Sequence, residues 1–175
     1  YGPKLDFLAT DSLGRQWQVA TIQLDMNQPD RFDLYCIDEK GQKERIVMIH
    51  AAIMGSIDRF LSILIEHTAG AFPVWLSPVQ IAIIPISEKH VDYANKLAEI
   101  FRKENFRFDI MAENETLGKK IREAEMQKIP YLLILGDKEI QANAVAVRAR
   151  GKGDLGQMSP EAFLEKLTEE INKKL

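Results

Sequence analysis

The stretch VMIHAAIMGSIDRF, residues 47–60, places groups that bind ligands at the junction of a strand and a helix. His50 lies in an apolar run typical of a strand, and Arg59 lies in the first turn of the helix that follows a Gly-Ser break. An imidazole and a guanidinium at such a junction are suited to hold a ligand. A buried histidine and a surface ion pair of Arg59 are the alternative, and this stretch alone leaves both interpretations open.

Polar side chains also follow the predicted strand QWQVATIQLDM, residues 16–26. By the two-residue repeat of a strand, Thr21, Gln23 and Asp25 share one face. The same repeat assigns Gln18 to the opposite face. A polar ladder on a strand otherwise suited to burial favours a sheet floor facing a ligand, although a solvent-facing strand explains the pattern equally well.

The first part of the chain has the alternation of an antiparallel sheet, followed by one helix. From Ile57 the apolar residues recur at helical spacing, which predicts a helix that buries one face, with Ser56 or Gly55 as its N-cap. The predicted strands are residues 4–11, 16–26, 32–38 and 45–53.

Two prolines and a glycine interrupt the pattern at 69–80, so we place a domain boundary close to Trp75. Strands and helices then alternate, which predicts a small α/β domain with a mostly parallel or mixed five-stranded sheet. The apolar run 79–86 is typical of a strand buried on both faces. Further strands are predicted at 106–111, 131–136 and 144–150, and helices at 88–105, 116–128 and 160–175. The fold class is therefore α/β, with an α+β first part.

The composition is that of a globular protein, with 46% hydrophobic and 28% charged residues among 175. A single cysteine, Cys36, excludes an internal disulfide and a Cys-rich zinc module, and it fits a reducing compartment such as the cytoplasm. No run reaches the roughly 18 to 20 apolar residues of a membrane helix. The start at Tyr1 without Met indicates part of a longer protein. Residues 119–152 hold 8 Lys and Arg against 4 Asp and Glu, which suits either a solvated face or a polyanion.

Several blocks, taken in order, make the chain resemble the threonyl-tRNA synthetases, class II aminoacyl-tRNA synthetases, over essentially its whole length. The blocks are YGPKLDF (1–7), WQVATIQLDM (17–26), PDRF (29–32), VMIH with GSIDRF (47–60), IEHTAGAFPVWLSPVQ (65–80), NETLGKKIREAEMQKIPYLLILGDKE (114–139), VAVR (145–148) and DLGQM (154–158). The resemblance implies that residues 1–74 are the C-terminal part of a catalytic domain ending in motif 3, and that residues 75–175 are an anticodon-binding domain. It also implies condensation of L-threonine with ATP to threonyl-adenylate and transfer of threonine to tRNA(Thr).

The resemblance implies a zinc ion with His50 as its third ligand, the other two being a Cys and a His upstream. Zinc would hold the amino and hydroxyl groups of threonine and so reject valine, which a hydrophobic pocket excludes only weakly. Cys36 is not the missing ligand by position and is expected to be a small buried residue. His67 and His90 receive no site role.

The resemblance further implies that Lys4 and Arg59 are catalytic residues. Arg59 is also assigned to ATP, where a guanidinium can stack on adenine and face phosphate. Magnesium accompanies the ATP. Adenylate formation needs positioning and charge stabilisation more than a protein base. Asp25 maps to the same sheet floor. The residues assigned to substrate and ATP binding are Tyr1, Gln18, Thr21, Gln23, Ser56 and Arg59.

In the second domain the resemblance assigns anticodon contacts, because unstacked bases are read along their edges by carboxylate, amide and guanidinium groups. These contacts are Asn114, Arg122, Glu139 and Arg148. Other cations nearby either contact the phosphate backbone or are solvated, and both interpretations stay open for Lys119, Lys120, Lys128 and Arg150.

The chain departs from the family at two positions, with Ala51 where an arginine is usual and Asp58 where a glutamate is usual. Motifs 1 and 2 and two zinc ligands are missing, so we expect the 175 residues alone to be inactive. One alternative is a non-catalytic tRNA-binding or regulatory module derived from a synthetase, and another is a prolyl or histidyl relative. The intact polar residues disfavour the former. A homodimer is implied by the family alone, and no membrane partner is expected.

Overall fold

The computed structural model describes residues 2–174, and the chain divides into two units, residues 1–67 and 68–175. The elements that begin in the first unit are β1 (Lys4–Thr10), β2 (Gln16–Asp25), α1 (Gln28–Arg31), β3 (Tyr35–Ile37), β4 (Lys43–Arg45), β5 (Met48–Ile53) and α2 (Ile57–Thr68). Those of the second unit are β6 (Ile81–Pro85), α3 (Val91–Lys103), β7 (Phe108–Ile110), α4 (Leu117–Met126), β8 (Tyr131–Leu135), α5 (Asp137–Ala142), β9 (Val145–Ala149), β10 (Gly153–Met158) and α6 (Pro160–Asn172).

The first unit is built on an antiparallel sheet of order β1-β2-β5, with β3 and β4 as a separate hairpin. The hydroxyl of Ser56 accepts a hydrogen bond from the backbone N–H of Arg59 at 3.3 Å, as expected for the N-cap of α2. The predicted burial of one helix face is wrong for α2, which has no buried residue. Cys36 is likewise exposed rather than buried, as are all the other residues of β3 and β4.

The second unit has a mixed five-stranded sheet of order β10-β9-β8-β6-β7. Strand β6 pairs in parallel with β7 and β8, while β8–β9 and β9–β10 are antiparallel. This confirms the predicted fold class. Strand β10 and helix α5 were not among the predicted elements.

Both faces of the second sheet are covered, which is why β6 is apolar throughout and buried at each residue. On one face, Phe101 of α3 and Phe163 of α6 meet edge to face with ring centroids 6.0 Å apart. On the other face, Ala124 of α4 packs in a cluster with Ile84 and Leu132. These layers fix the ends of β7 and β8, which Asn114 and Glu139 follow.

The segment before β6 belongs to the second unit, whereas the sequence pattern suggested a boundary near Trp75. Val74 is 2% exposed and lies in the core, and its carbonyl accepts a hydrogen bond from the side chain of Gln80 at 3.0 Å. Arg107 donates to the carbonyls of Trp75 and Ser77. The proline-rich stretch is therefore packed onto its own domain. Within residues 2–174, every helix is too short or too polar to cross a membrane.

Candidate functional site

The sheet of the first unit brings three predicted site residues into one row. In its register, Gln23 on the central strand β2 lies opposite Lys4 on β1 and opposite His50 on β5. Two residues along, Thr21 lies opposite Asp6. Because alternate residues of a strand share a face, these five side chains belong to one face of the sheet.

A β-bulge puts Gln18 on the same side as Thr21, against the prediction from strict alternation. The β1–β2 register runs from Phe7 opposite Ala20 directly to Leu8 opposite Gln18, so Val19 is the extra residue. An extra residue reverses the alternation on the bulged strand. Gln18 therefore lies on the same face as Thr21, although strict alternation had placed it on the opposite face.

The carboxylate of Asp6 contacts three of the predicted residues, and these four residues are called the Asp6 cluster. Its Oδ2 lies 2.8 Å from Nζ of Lys4, and its Oδ1 accepts from Nε2 of Gln18 at 2.8 Å and from the hydroxyl of Thr21. The ammonium of Lys4, followed by the Thr21 hydroxyl, lowers the pKa of Asp6 below its ordinary value. The sequence pattern missed Asp6 because its partners lie across a strand pair.

Asp25 is fully buried and holds His50, rather than lining the sheet floor as expected. Its Oδ2 lies 2.9 Å from Nε2 of His50, and its Oδ1 accepts from the backbone N–H groups of Asn27 and Gln28, each at 2.9 Å. The hydrogen bond from the Gln28 N–H has the largest effect in lowering the pKa of Asp25, and burial acts in the opposite direction. A carboxylate in this position orients the imidazole.

Arg59 is held over the sheet by the main chain of β2. Its Nη1 donates to the carbonyl oxygen of Gln18 at 3.0 Å. Gly55 makes this approach possible, because a Cβ on it would lie 2.3 Å from the same carbonyl oxygen. Ser56 is occupied as the cap of α2.

Tyr1 lies outside the described residues. Within residues 2–174, no group of three His, Cys, Asp or Glu side chains is arranged to hold a metal ion.

In the second unit, the parallel strands β6, β7 and β8 end at one edge of the sheet, the usual position of ligands in α/β folds. Asn114 follows β7 and is exposed, and Glu139 follows β8 in the first turn of α5. Lys120 lies at the same edge, but it is 4% exposed and its Nζ donates to the carbonyl of Pro85 at 3.0 Å.

The carboxylate of Glu139 is oriented on both sides. Its Oε2 accepts from the backbone N–H of Gly136 at 2.9 Å, and its Oε1 accepts from Nε2 of Gln157 on β10 at 2.6 Å. Gln157 has no assigned role from the sequence, and its strand was itself missed.

Arg148 and Arg122 lie away from that strand end. Arg148 is opposite Leu132, near the start of β8, and its Nη2 lies 3.7 Å from Oε1 of Glu125 on α4. Arg122 is exposed on the same helix. The four predicted readers therefore form two groups, Asn114 with Glu139 at the strand ends and the two arginines along α4 and β9.

His90 joins two loops at this edge, although it had been given no site role. It is 4% exposed, its Nδ1 accepts from the backbone N–H of Ser87 at 3.1 Å, and its Nε2 lies 3.1 Å from Oδ1 of Asp137. This contact ties the loop after β6 to the start of α5.

Arg150 is used within the fold. Its guanidinium donates to the carbonyls of Lys128, Ala71 and Phe72. These bonds fasten the segment before β6 to the end of β9, and burial lowers the pKa of Arg150.

Family models match both parts of the chain. The model described as tRNA synthetase class II core domain (G, H, P, S and T) matches residues 1–68, and the model described as anticodon binding domain matches residues 80–170. The second match covers more than half of the chain.

Curated relatives are threonine–tRNA ligases. The one from Carboxydothermus hydrogenoformans is 56% identical over 174 residues, and the one from Desulforamulus reducens is 53% identical over 174 residues. Each alignment covers 99% of this chain and 27% of the relative, so the chain spans about a quarter of their length.

Solved structures agree with these matches. The RNA binding domain of threonyl-tRNA synthetase from Cryptosporidium parvum aligns with a TM-score of 0.82 and 36% identity, covering 97% of this chain and 43% of that one. A putative threonyl-tRNA synthetase from Aeropyrum pernix aligns with a TM-score of 0.64 and 28% identity, covering 99% and 43%.

Proposed function

The chain belongs to the anticodon binding domain family, and on that premise we propose that it forms part of a threonine–tRNA ligase. The proposed reaction joins the carboxylate of L-threonine to the α-phosphate of ATP with release of pyrophosphate, then transfers threonine to tRNA(Thr). The observation that carries this proposal is the row of Lys4, Gln23 and His50 across three strands, beside the Asp6 cluster.

Positioning and charge are what these residues supply. The ammonium of Lys4 and the guanidinium of Arg59 are held on the sheet by Asp6 and by the Gln18 carbonyl, respectively. Cations fixed before the reaction stabilise negative charge that develops on phosphate oxygens without having to reorganise. Gln18, Thr21 and Gln23 offer neutral polar groups for orienting the substrates, and magnesium enters with ATP as its counterion.

The residues of this chain fit the proposed zinc ion. The Nε2 of His50 faces the carboxylate of Asp25, which leaves Nδ1 with a lone pair for a metal, and metal-binding histidines commonly have such a carboxylate partner. When bound, the ion would chelate the amino and hydroxyl groups of threonine. Its further ligands, a Cys and a His, are proposed outside residues 2–174.

The second unit is proposed to bind the anticodon. Asn114 and Glu139 offer amide and carboxylate groups to base edges at the strand ends, while Arg122 and Arg148 offer guanidinium groups along α4 and β9. Reading of unstacked bases by such groups is the usual mode for single-stranded RNA. A homodimer and a cytoplasmic location are proposed from the family alone.

Threonine-dependent ATP–pyrophosphate exchange by the full-length protein tests the activity, with charging of tRNA(Thr) as the second step. We expect both activities in the full-length protein and neither in the isolated 175 residues. Tight tRNA binding without exchange would instead support a non-catalytic module. Exchange that depends on proline or histidine, by a full-length protein that contains no zinc, would support a prolyl- or histidyl-tRNA synthetase.

A further inference from the structure

Asp6 is the acceptor shared by three side chains that the proposed reaction uses. Its two oxygens are divided between them, with Oδ2 facing Lys4 and Oδ1 accepting from Gln18 and Thr21. The first two contacts are each 2.8 Å long. Asp6 therefore connects a cation, an amide and a hydroxyl that come from two strands.

The backbone explains why this contact set forms. Thr21 is the direct cross-strand partner of Asp6, and Lys4 precedes Asp6 by two residues on the same face. The bulge at Val19 turns Gln18 toward this face as well. Removal of the carboxylate would leave three donors around a gap without a common acceptor.

We propose that Asp6 is a positioning residue for threonine activation, a role that rests on the function proposed above. It holds the Lys4 ammonium on the sheet and consumes one donor each from Gln18 and Thr21. The Oε1 of Gln18 and the lone pairs of the Thr21 hydroxyl remain to accept from a substrate. Lys4 retains N–H groups for a carboxylate or phosphate. The cluster thus presents acceptors beside a cation, which matches a substrate bearing an amino group and an acid.

Substitutions at Asp6 separate its contact with the Lys4 ammonium from its hydrogen bonds with Gln18 and Thr21. In Asp6→Asn the remaining oxygen can still accept from Gln18 and Thr21, whereas the amide nitrogen faces Lys4 and no longer holds it. In Asp6→Ala all three contacts are lost. The matched control is Asp30→Asn, because Asp30 also faces a cation of the first unit, Nε of Arg45 at 2.7 Å, but contacts no predicted site residue.

The experiment is ATP–pyrophosphate exchange by the full-length protein, with threonine and ATP varied in turn. We expect Asp6→Asn to lower kcat by about tenfold to a hundredfold with little change in KM for threonine, as misplaced catalytic groups do. Asp6→Ala should lower kcat similarly and also raise KM for threonine. Asp30→Asn should match the unchanged protein, and the thermal midpoints of all variants should agree closely because these carboxylates are partly exposed.

A double-mutant cycle separates positioning from a merely structural role. If Asp6 acts on kcat through Lys4, adding Asp6→Asn to Lys4→Ala should cause no further loss of kcat. A kcat for Asp6→Asn equal to that of the unchanged protein would overturn the role of Asp6. An equal loss of kcat from Asp6→Asn in the unchanged protein and in Lys4→Ala would do the same. Neither result would overturn the proposed function. Absence of threonine-dependent exchange in the unchanged protein would overturn the proposed function, and the role of Asp6 with it.

Discussion

The imidazole of His50 and the carboxylate of Asp25 lie 2.9 Å apart, and the partners differ sharply in exposure. The side chain of Asp25 is 0% exposed, whereas that of His50 is 40% exposed. Two backbone N–H groups fix the other oxygen of Asp25. The Asp25 carboxylate thus orients the ring of His50 through Nε2, which leaves Nδ1 as the nitrogen proposed to bind zinc.

Asp25→Asn is expected to weaken zinc binding by about 10- to 100-fold, the usual effect of losing such a partner. The asparagine oxygen must face the two backbone N–H groups, so its amide nitrogen faces Nε2 of His50 and donates to it. The proton of the ring then moves to Nδ1, the nitrogen proposed to bind zinc, and must leave before the metal binds. Competition with a chromophoric chelator, using the full-length protein, measures the change.

His67→Ala is the control for this experiment, because His67 is exposed on α2 and lies outside the site. It should retain the affinity of the unchanged protein. Equal zinc affinity in Asp25→Asn would contradict the orientation of His50 by Asp25.

Gly55→Ala is expected to impair ATP use. A Cβ at this position would lie 2.3 Å from the Gln18 carbonyl oxygen and 3.2 Å from Nη1 of Arg59, so the contact between those groups must break. We expect kcat/KM for ATP in the exchange reaction to fall by about tenfold or more, as displacement of a positioned cation predicts.

Gly41→Ala separates this clash from backbone strain. Gly41 has a φ of 76° and Gly55 a φ of 70°, but nothing lies within 4 Å of a Cβ at Gly41. Both variants bear a left-handed alanine, which costs about 1 to 2 kcal/mol. Only Gly55→Ala should lose kcat/KM for ATP, and a similar loss in Gly41→Ala would attribute the effect to backbone strain.

Asp11 is expected to make the first unit sensitive to acid. Its carboxylate accepts from the indole N–H of Trp17 at 2.9 Å and from Nε of Arg15. The hydrogen bond from Trp17 is the leading cause of the lowered pKa of Asp11. Because the folded pKa lies below the unfolded one, the carboxylate stabilises the fold above the ordinary pKa near 3.8 and loses this effect as the pH falls through the folded pKa.

Thermal melts between pH 2 and 7, followed by Trp17 fluorescence in a Trp75→Phe background, measure this dependence. Asp11→Asn should lower the midpoint at pH 7 and reduce the difference between pH 7 and pH 2. If the melting midpoint changes with pH in the same way with and without Asp11→Asn, Asp11 has no part in the acid transition.

Glu139→Gln is expected to affect tRNA charging but not threonine activation. The new amide nitrogen cannot accept from the Gly136 N–H, so it faces Gln157, whose amide must turn over to accept from it. The side chain then offers one acceptor oxygen to a base edge instead of two. We expect kcat/KM for tRNA to fall by about tenfold, since a lost edge contact costs about 1 to 3 kcal/mol. Aminoacylation measures this loss, and pyrophosphate exchange should be unchanged.

Glu99→Gln provides the comparison, because Glu99 is an exposed residue of α3 paired with Arg102. It should leave charging intact. A fall in exchange as well as charging for Glu139→Gln would exclude a role limited to the anticodon.

The elements with strong apolar patterns were predictable from sequence. The run that forms β6 is buried on both sides, and Ser159 caps α6 by accepting from the N–H of Ala162 at 3.2 Å. Strand β10 was missed because its residues, GDLGQM, have little apolar alternation and gain their pairing from β9. Short local patterns of this kind depend on the neighbouring strand.

The connections inside the candidate site were less predictable than its members. Alternation along one strand cannot reveal the bulge at Val19, because a bulge is a property of two paired strands. The contact of Asp6 with Thr21 likewise depends on register. Residue types and motifs identified candidates, whereas only pairing revealed which of them touch.

The internal use of Arg150 and Lys120 has a consequence for counterion release. Residues 119–152 have eight cationic side chains, but these two donate to carbonyls of their own chain. Six are then left to displace ions from RNA. The logarithm of the association constant for a single strand falls by about 0.7 per tenfold rise in salt for each phosphate neutralised. The salt dependence of tRNA binding should therefore be shallower than the charge of this segment suggests.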